Sequence, residues 1–118
     1  MKIRFTIDGE VLARATLMDN ATARDFLGLL PLAVTLEDYA ATEKITYLPR
    51  KLSTAGAPAG SEPSAGDIAY YAPWGNLAIF HKGAPHARGL VLLGRVDSPV
   101  EAFRAPGKPK VIIERADN

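Results

Sequence analysis

A chain of 118 residues has room for one domain, 1–118, whose folding removes roughly two-thirds of the surface that the extended chain exposes. Its 47% hydrophobic and 23% charged residues are the balance of a globular protein, which excludes a disordered or fibrous chain, and the absence of cysteine excludes disulfides, thiolate zinc sites and a cysteine nucleophile. Fourteen basic against thirteen acidic residues leave a formal net charge of +1 with no Lys/Arg cluster to track a phosphate backbone, so no nucleic acid is expected as a partner.

The chain begins "MKIRFTIDGE", with Lys2, Arg4 and Asp8 where a secretory signal needs an unbroken apolar run, and no apolar stretch approaches the roughly 18 residues of a membrane span. A cytoplasmic protein with no membrane association is the expectation. In the same segment Ile3, Phe5 and Ile7 alternate with Lys2, Arg4 and Thr6, the period of a strand with one face inward. Asp8-Gly9 suits a type I′ turn, and Val11, Ala13, Ala15 and Leu17 resume the alternation, so residues 2–17 are predicted to form a hairpin.

The period then changes. In "NATARDFLGLLPL" Ala23, Phe26, Leu27 and Leu30 fall on one helical stripe; Thr22 or Asn20 is the expected cap, Asp25 the partner of the positive dipole end, and Pro31 the stop. "AVTLEDYA" and "EKITYLP" predict two further strands, the second ended by Pro49. Ser53 to Gly66, "STAGAPAGSEPSAG", offers nothing large to a core and is expected to be a long, exposed, mobile loop. "DIAYYA", "NLAIFH" and "GLVLLGRV" predict three strands, the first two joined through Pro73-Trp74-Gly75. "SPVEAF" predicts a helical turn beginning at Pro99, and "KVIIER" a last strand. Roughly seven or eight strands with one clear α-helix predict a mainly β protein, a closed or nearly closed β-barrel, because closure removes sheet edges.

Aromatic side chains cluster in the second half of this pattern. Tyr47, Tyr70, Tyr71, Trp74 and Phe80 suit an apolar groove for a proline or a flat ligand, and they suit a core equally well. Alternation sends Tyr70 and Tyr71 to opposite faces; Trp74, in a turn, is the foremost groove candidate, with a lid over the barrel end as its alternative. His81 and His86 are a pair where catalytic zinc usually needs three protein ligands, so they are expected at the surface and no metal is expected. No Gly-x-Ser-x-Gly elbow and no phosphate-cradling glycine loop occurs, which leaves hydrolase and nucleotide chemistry without support.

The order hairpin, "TARDFLGLLP", long loop, "GDIAYYAPWGNLAIFHKG", "LLGRVDSPVEAF" resembles the cyclophilins, and more closely the small bacterial cyclophilin-like proteins. The resemblance spans nearly the whole chain and implies a cyclophilin-like barrel with a groove. It implies that Tyr47-Leu48-Pro49-Arg50 stands where the family's active members carry phenylalanine, histidine and arginine, with Arg50 as the catalytic candidate that donates to a prolyl nitrogen. Trp74 to Phe80 resembles the family's asparagine-glycine-serine-glutamine-phenylalanine-phenylalanine strand, with Asn76 and Phe80 as approximate counterparts and the glutamine missing. The family's groove tryptophan falls near Pro85-His86. Ligand contacts are therefore expected from Tyr47, Tyr70, Tyr71, Trp74, Asn76, Phe80 and His86, with no cofactor. The expected function is a noncatalytic module binding a peptide or small molecule, the alternative being a peptidyl-prolyl isomerase with a displaced arginine.

Overall fold

The computed structural model describes residues 1–97 and 100–116. Strands β1 (Lys2–Ile7) and β2 (Glu10–Leu17) form the expected hairpin, and Asp8 and Gly9 take the left-handed angles that its turn requires, φ 51° and 82°. Their inward residues, among them Ile3, Phe5, Ala13 and Ala15, are almost fully buried.

Helix α1 (Ala21–Leu27) follows at once. Of the two cap candidates Asn20 is the one used, its side chain accepting the Ala23 N–H at 2.8 Å, while the Thr22 hydroxyl donates to the Ser53 carbonyl. Asp25 does not serve the dipole: the helix begins at Ala21, which puts Asp25 beyond the first turn. Ala23 and Phe26 are buried in the core, and Leu27 and Leu30 pack against it.

The expected strand over 33–40 is two strands, β3 (Leu32–Thr35) and β4 (Glu37–Tyr39), separated only by the fully buried Leu36. Next come β5 (Glu43–Tyr47), a two-residue β6 (Gly60–Ser61), β7 (Asp67–Tyr71) and β8 (Asn76–Phe80). The last are a two-residue β9 (Ala87–Arg88), β10 (Leu90–Val96) and β11 (Lys110–Arg115). Nine of them make one sheet in the order β3-β11-β1-β2-β10-β7-β8-β5-β4. The two ends of that order are neighbours in sequence, so the sheet wraps into a nearly closed barrel and the chain steps across the seam at Leu36. The Leu36 N–H donates to the Pro109 carbonyl there, at 2.9 Å.

Alternation divides the strands of one barrel wall between two apolar clusters. Ile68, Tyr70, Leu77, Ile79 and Leu93 point into the barrel with Phe26 of α1; Ile45, Ala69, Ala78, Phe80 and Leu90 form a second cluster on the outside. β8 is consequently buried on both faces. Gly94 of β10 pairs with Leu17 on one side and Ile68 on the other, at a register shift where a Cβ would lie 2.2 Å from the Thr16 carbonyl oxygen.

The segment 53–66 is not the free loop that its composition suggests. Ser53 donates its N–H to Asp25, β6 pairs with β9, the buried Pro63 accepts the Ala84 N–H, and Ser64 donates to Asp67. Backbone hydrogen bonds hold it, and these leave no mark in side-chain hydrophobicity. A 3-10 turn over Val100–Phe103 places Phe103 edge-on to Phe5; Pro99, where that turn was expected to begin, lies outside the described residues. Among the described residues no helix is long and apolar enough to cross a membrane.

Candidate functional site

The outer cluster is the floor of a cleft of about 390 Å³. Glu43 and Ile45 of β5, Asn76, Ala78 and Phe80 of β8, Tyr71 at the end of β7, and Leu90 of β10 face it. Its rims are the β4–β5 turn (Tyr39, Ala40, Thr42), Trp74 in the β7–β8 turn, and Pro63 with the segment Ala84, Pro85, Ala87. The paired register fixes the long axis. Glu43 stands opposite Phe80, Ile45 opposite Ala78, and Tyr47 opposite Asn76. Glu43 and Asn76 therefore mark two ends of the floor, about 13 Å apart along the strands at the usual rise.

Three aromatic rings form one wall. Trp74 is edge-on to Tyr71, with centroids 5.4 Å apart, and to Tyr39 at 5.3 Å. The turn fixes Trp74 through its N–H to the Tyr71 carbonyl, and Gly75 supplies the positive φ of 68° that brings the chain back into β8. Tyr39 belongs to β4, where it pairs with Glu43. Its ring and that of Trp74 thus converge from opposite ends of the floor, and both remain over two-fifths exposed.

Two polar atoms of the cleft are buried and unsatisfied among the described residues. Glu43 Oε2 is buried with no hydrogen-bond partner, and so is Oδ1 of Asn76, a residue only 2% exposed. Burial pushes the Glu43 carboxyl up to about 7, because the charged form loses hydration in an apolar surrounding. Among the described residues no lysine or arginine lines the cleft to offset it. Lys44, next in sequence, points through the wall to the opposite side, where it pairs with Asp38 at 2.7 Å and donates to the carbonyls of Ala105 and Gly107.

Of the residues singled out from sequence, Tyr71, Trp74, Asn76 and Phe80 come together here. Tyr70 does not: it is 1% exposed inside the barrel, and its hydroxyl accepts the Leu52 N–H at 3.1 Å. Tyr47 stands opposite Asn76 but is largely exposed and does not line the cleft. Arg50 is on the surface, in a two-point ion pair with Asp25 of α1. His86 is exposed beside Gly60, outside the lining residues. His81 corrects the expectation of a surface histidine. It is buried, Nδ1 has no partner, and desolvation together with the nearby Arg104 holds its imidazole below the usual range. Among the described residues no group of three or more His, Cys, Asp or Glu could hold a metal ion.

Sequence reasoning missed Tyr39 and Glu43. Tyr39 follows two acidic residues in an all-exposed strand, and only the fold brings it to Trp74. Glu43 did carry a signal: it occupies the same face of the strand as Ile45, an acidic residue in an apolar row.

Residues 5–114 match the sequence profile described as the cyclophilin-like family. No curated protein matches the chain in sequence. Among solved structures, the solution structure of a hypothetical protein from Archaeoglobus fulgidus is similar, with a TM-score of 0.66, 18% identity, and 98% of this chain and 95% of that one covered. That likeness is one of fold.

Proposed function

The chain belongs to the cyclophilin-like family, and from that premise we propose that it is a noncatalytic binding module whose outer cleft takes a small molecule or a short peptide segment. The observation that carries this reading is the pair of buried, unpartnered acceptors, Glu43 Oε2 and Asn76 Oδ1, in an aromatic-walled cleft of about 390 Å³. A buried polar atom without a partner costs about 1–3 kcal/mol, a cost that a bound donor removes.

Prolyl isomerisation by a displaced arginine is the less supported reading. The guanidinium of Arg50 is engaged by Asp25 and is absent from the cleft lining, and fold alone does not transfer activity. Two titrations test the proposal. Trp74 fluorescence is followed against a library of small ligands and proline-containing peptides, and cis–trans exchange of the same peptides is followed by NMR. Saturable quenching without accelerated exchange is the expected result. Strong acceleration abolished by Arg50→Ala would replace the module with an isomerase.

A further inference from the structure

We propose that the cleft is a site for a primary ammonium group, with the Glu43 carboxylate as counter-charge and the Tyr39 and Trp74 rings as the wall that faces the cation. This rests on the reading of the cleft as a binding site and names the chemistry of its ligand. The amide oxygen Asn76 Oδ1 only accepts, and Glu43 Oε2 accepts once its carboxyl is ionised, so a ligand that brings donors and a positive charge satisfies both. Only one of the two can become an anion. Tyr39 is the cross-strand partner of Glu43 and touches Trp74, which places aromatic surface beside that carboxyl. An aromatic wall next to a lone carboxylate, partly withdrawn from water, is the arrangement that attracts organic cations.

Three cations close to the cleft in the fold are turned away from it. Lys44 faces the other side of the wall with Asp38, Arg104 is held at the His81 carbonyl by Nε and Nη2, and Lys82 is exposed outside the lining. Desolvation, and then these same cations, hold the imidazole of His81 below its usual range, which disfavours a positive charge there. With nothing bound, burial raises the Glu43 carboxyl to about 7, and a seated ammonium reverses this by favouring the carboxylate. Binding near neutral pH should then expel a fraction of a proton, because a carboxyl raised into that range is partly protonated there.

The full chain is titrated with n-pentylamine, 1,5-diaminopentane and the neutral isostere 1-pentanol. Binding is followed by the fluorescence of Trp74, the only tryptophan, and by calorimetry in two buffers of different ionisation enthalpy. The amines are expected to bind at least tenfold more tightly than the alcohol, with net proton release on binding. Glu43→Gln is expected to erase both the preference and the proton release. Equal affinity for amine and alcohol, no proton release, or an unchanged preference in Glu43→Gln overturns the proposal. If Glu43→Gln does not fold, the amine-over-alcohol preference of the unsubstituted chain decides together with its proton release. Saturable binding of neutral or proline-containing probes without amine preference ends the ammonium proposal and leaves the binding module standing; no saturable binding of any probe ends both.

Discussion

Arg50 and Asp25 meet as two parallel hydrogen bonds, Nη1 to Oδ2 at 3.0 Å and Nη2 to Oδ1 at 2.8 Å, and this pair joins the segment after β5 to helix α1. The Ser53 N–H completes it by donating to Asp25 Oδ2 at 2.7 Å. The Arg50 bond and the Ser53 bond together hold the Asp25 carboxyl below the usual carboxylate range. Arg50→Ala is therefore expected to leave the ligand response of Trp74 unchanged, because Arg50 is not among the residues that line the cleft. Its effect on folding should be small, as solvent screens an exposed pair. Fluorescence titration of the variant checks this, and a lost response would bring Arg50 into the site.

Glu43 gives the protein a definite pH dependence. Its folded value of about 7 lies above the ordinary 4.5, so the folded state binds this proton more tightly than the unfolded chain. The stability it contributes is complete below about pH 4.5 and is lost as pH rises through 7. Glu43→Gln should accordingly be more stable than the parent at pH 8, by about 1–2 kcal/mol once solvent screening is allowed for, with the difference shrinking towards pH 5. Urea unfolding at the two pH values measures it; a constant difference would locate the unpaired carboxylate elsewhere.

Gly94 should tolerate no side chain. A Cβ would meet the Thr16 carbonyl oxygen at 2.2 Å and Leu17 Cα at 2.8 Å, both backbone atoms of a paired strand that cannot rotate away. Gly94→Ala is expected to cost about 2–3 kcal/mol, at the upper end of ordinary overpacking, because β2 and β10 must separate. Chemical denaturation checks the figure, and a loss under about 0.5 kcal/mol would show that the strands part easily.

Limited proteolysis should distinguish two parts of the segment 53–66. Residues 54–56 are exposed, whereas Gly60–Ser61 are paired in β6 and Pro63 is buried. A protease of broad specificity is expected to nick first between Thr54 and Pro58, and amide exchange should be slower at Ser64 and Gly66, whose N–H groups are bonded to Asp67 and to the Phe80 carbonyl. First cleavage within 60–64 would mean that these ties open readily.

The barrel was legible wherever hydrophobic period carries the information. Ile3 and Phe5, or Val111 and Ile113, announce their strands because they lie on a buried face that alternates with a wetter one, whereas Ile7 follows a register shift after Phe5 and is only partly buried. Leu36 was not: a single buried residue between two strands of different pairing looks, in sequence, like one continuous alternation. The site was half legible for a related reason. Trp74, Tyr71, Asn76 and Phe80 are close in sequence and form one corner of the cleft, but Tyr39 and Glu43 arrive from an adjoining hairpin, and only register brings them into place. Tyr70 and Tyr71 could not be separated by type, since alternation states that they differ without stating which one is inside. Two of the stretches that carried the resemblance, "GDIAYYAPWGNLAIFHKG" and "LLGRVDSPVEAF", are structural partners. Asp67 and Arg95 stand opposite each other on β7 and β10 as a partly buried ion pair.

The seam at Leu36 also bears on the order in which the chain acquires its shape. β11 lies between β1 and β3, with Ile3 opposite Arg115 and Leu32 opposite Ile113, so neither earlier strand has its full complement of neighbours until one of the most distant segments arrives. Pairings of such long sequence separation carry a large loop-closure entropy and place folding in the millisecond-to-second class of β-barrels. Until β11 docks, β1 and β3 each present a row of open backbone donors and acceptors to any other copy of the chain. The interval before β11 docks is thus the one in which self-association competes with closure.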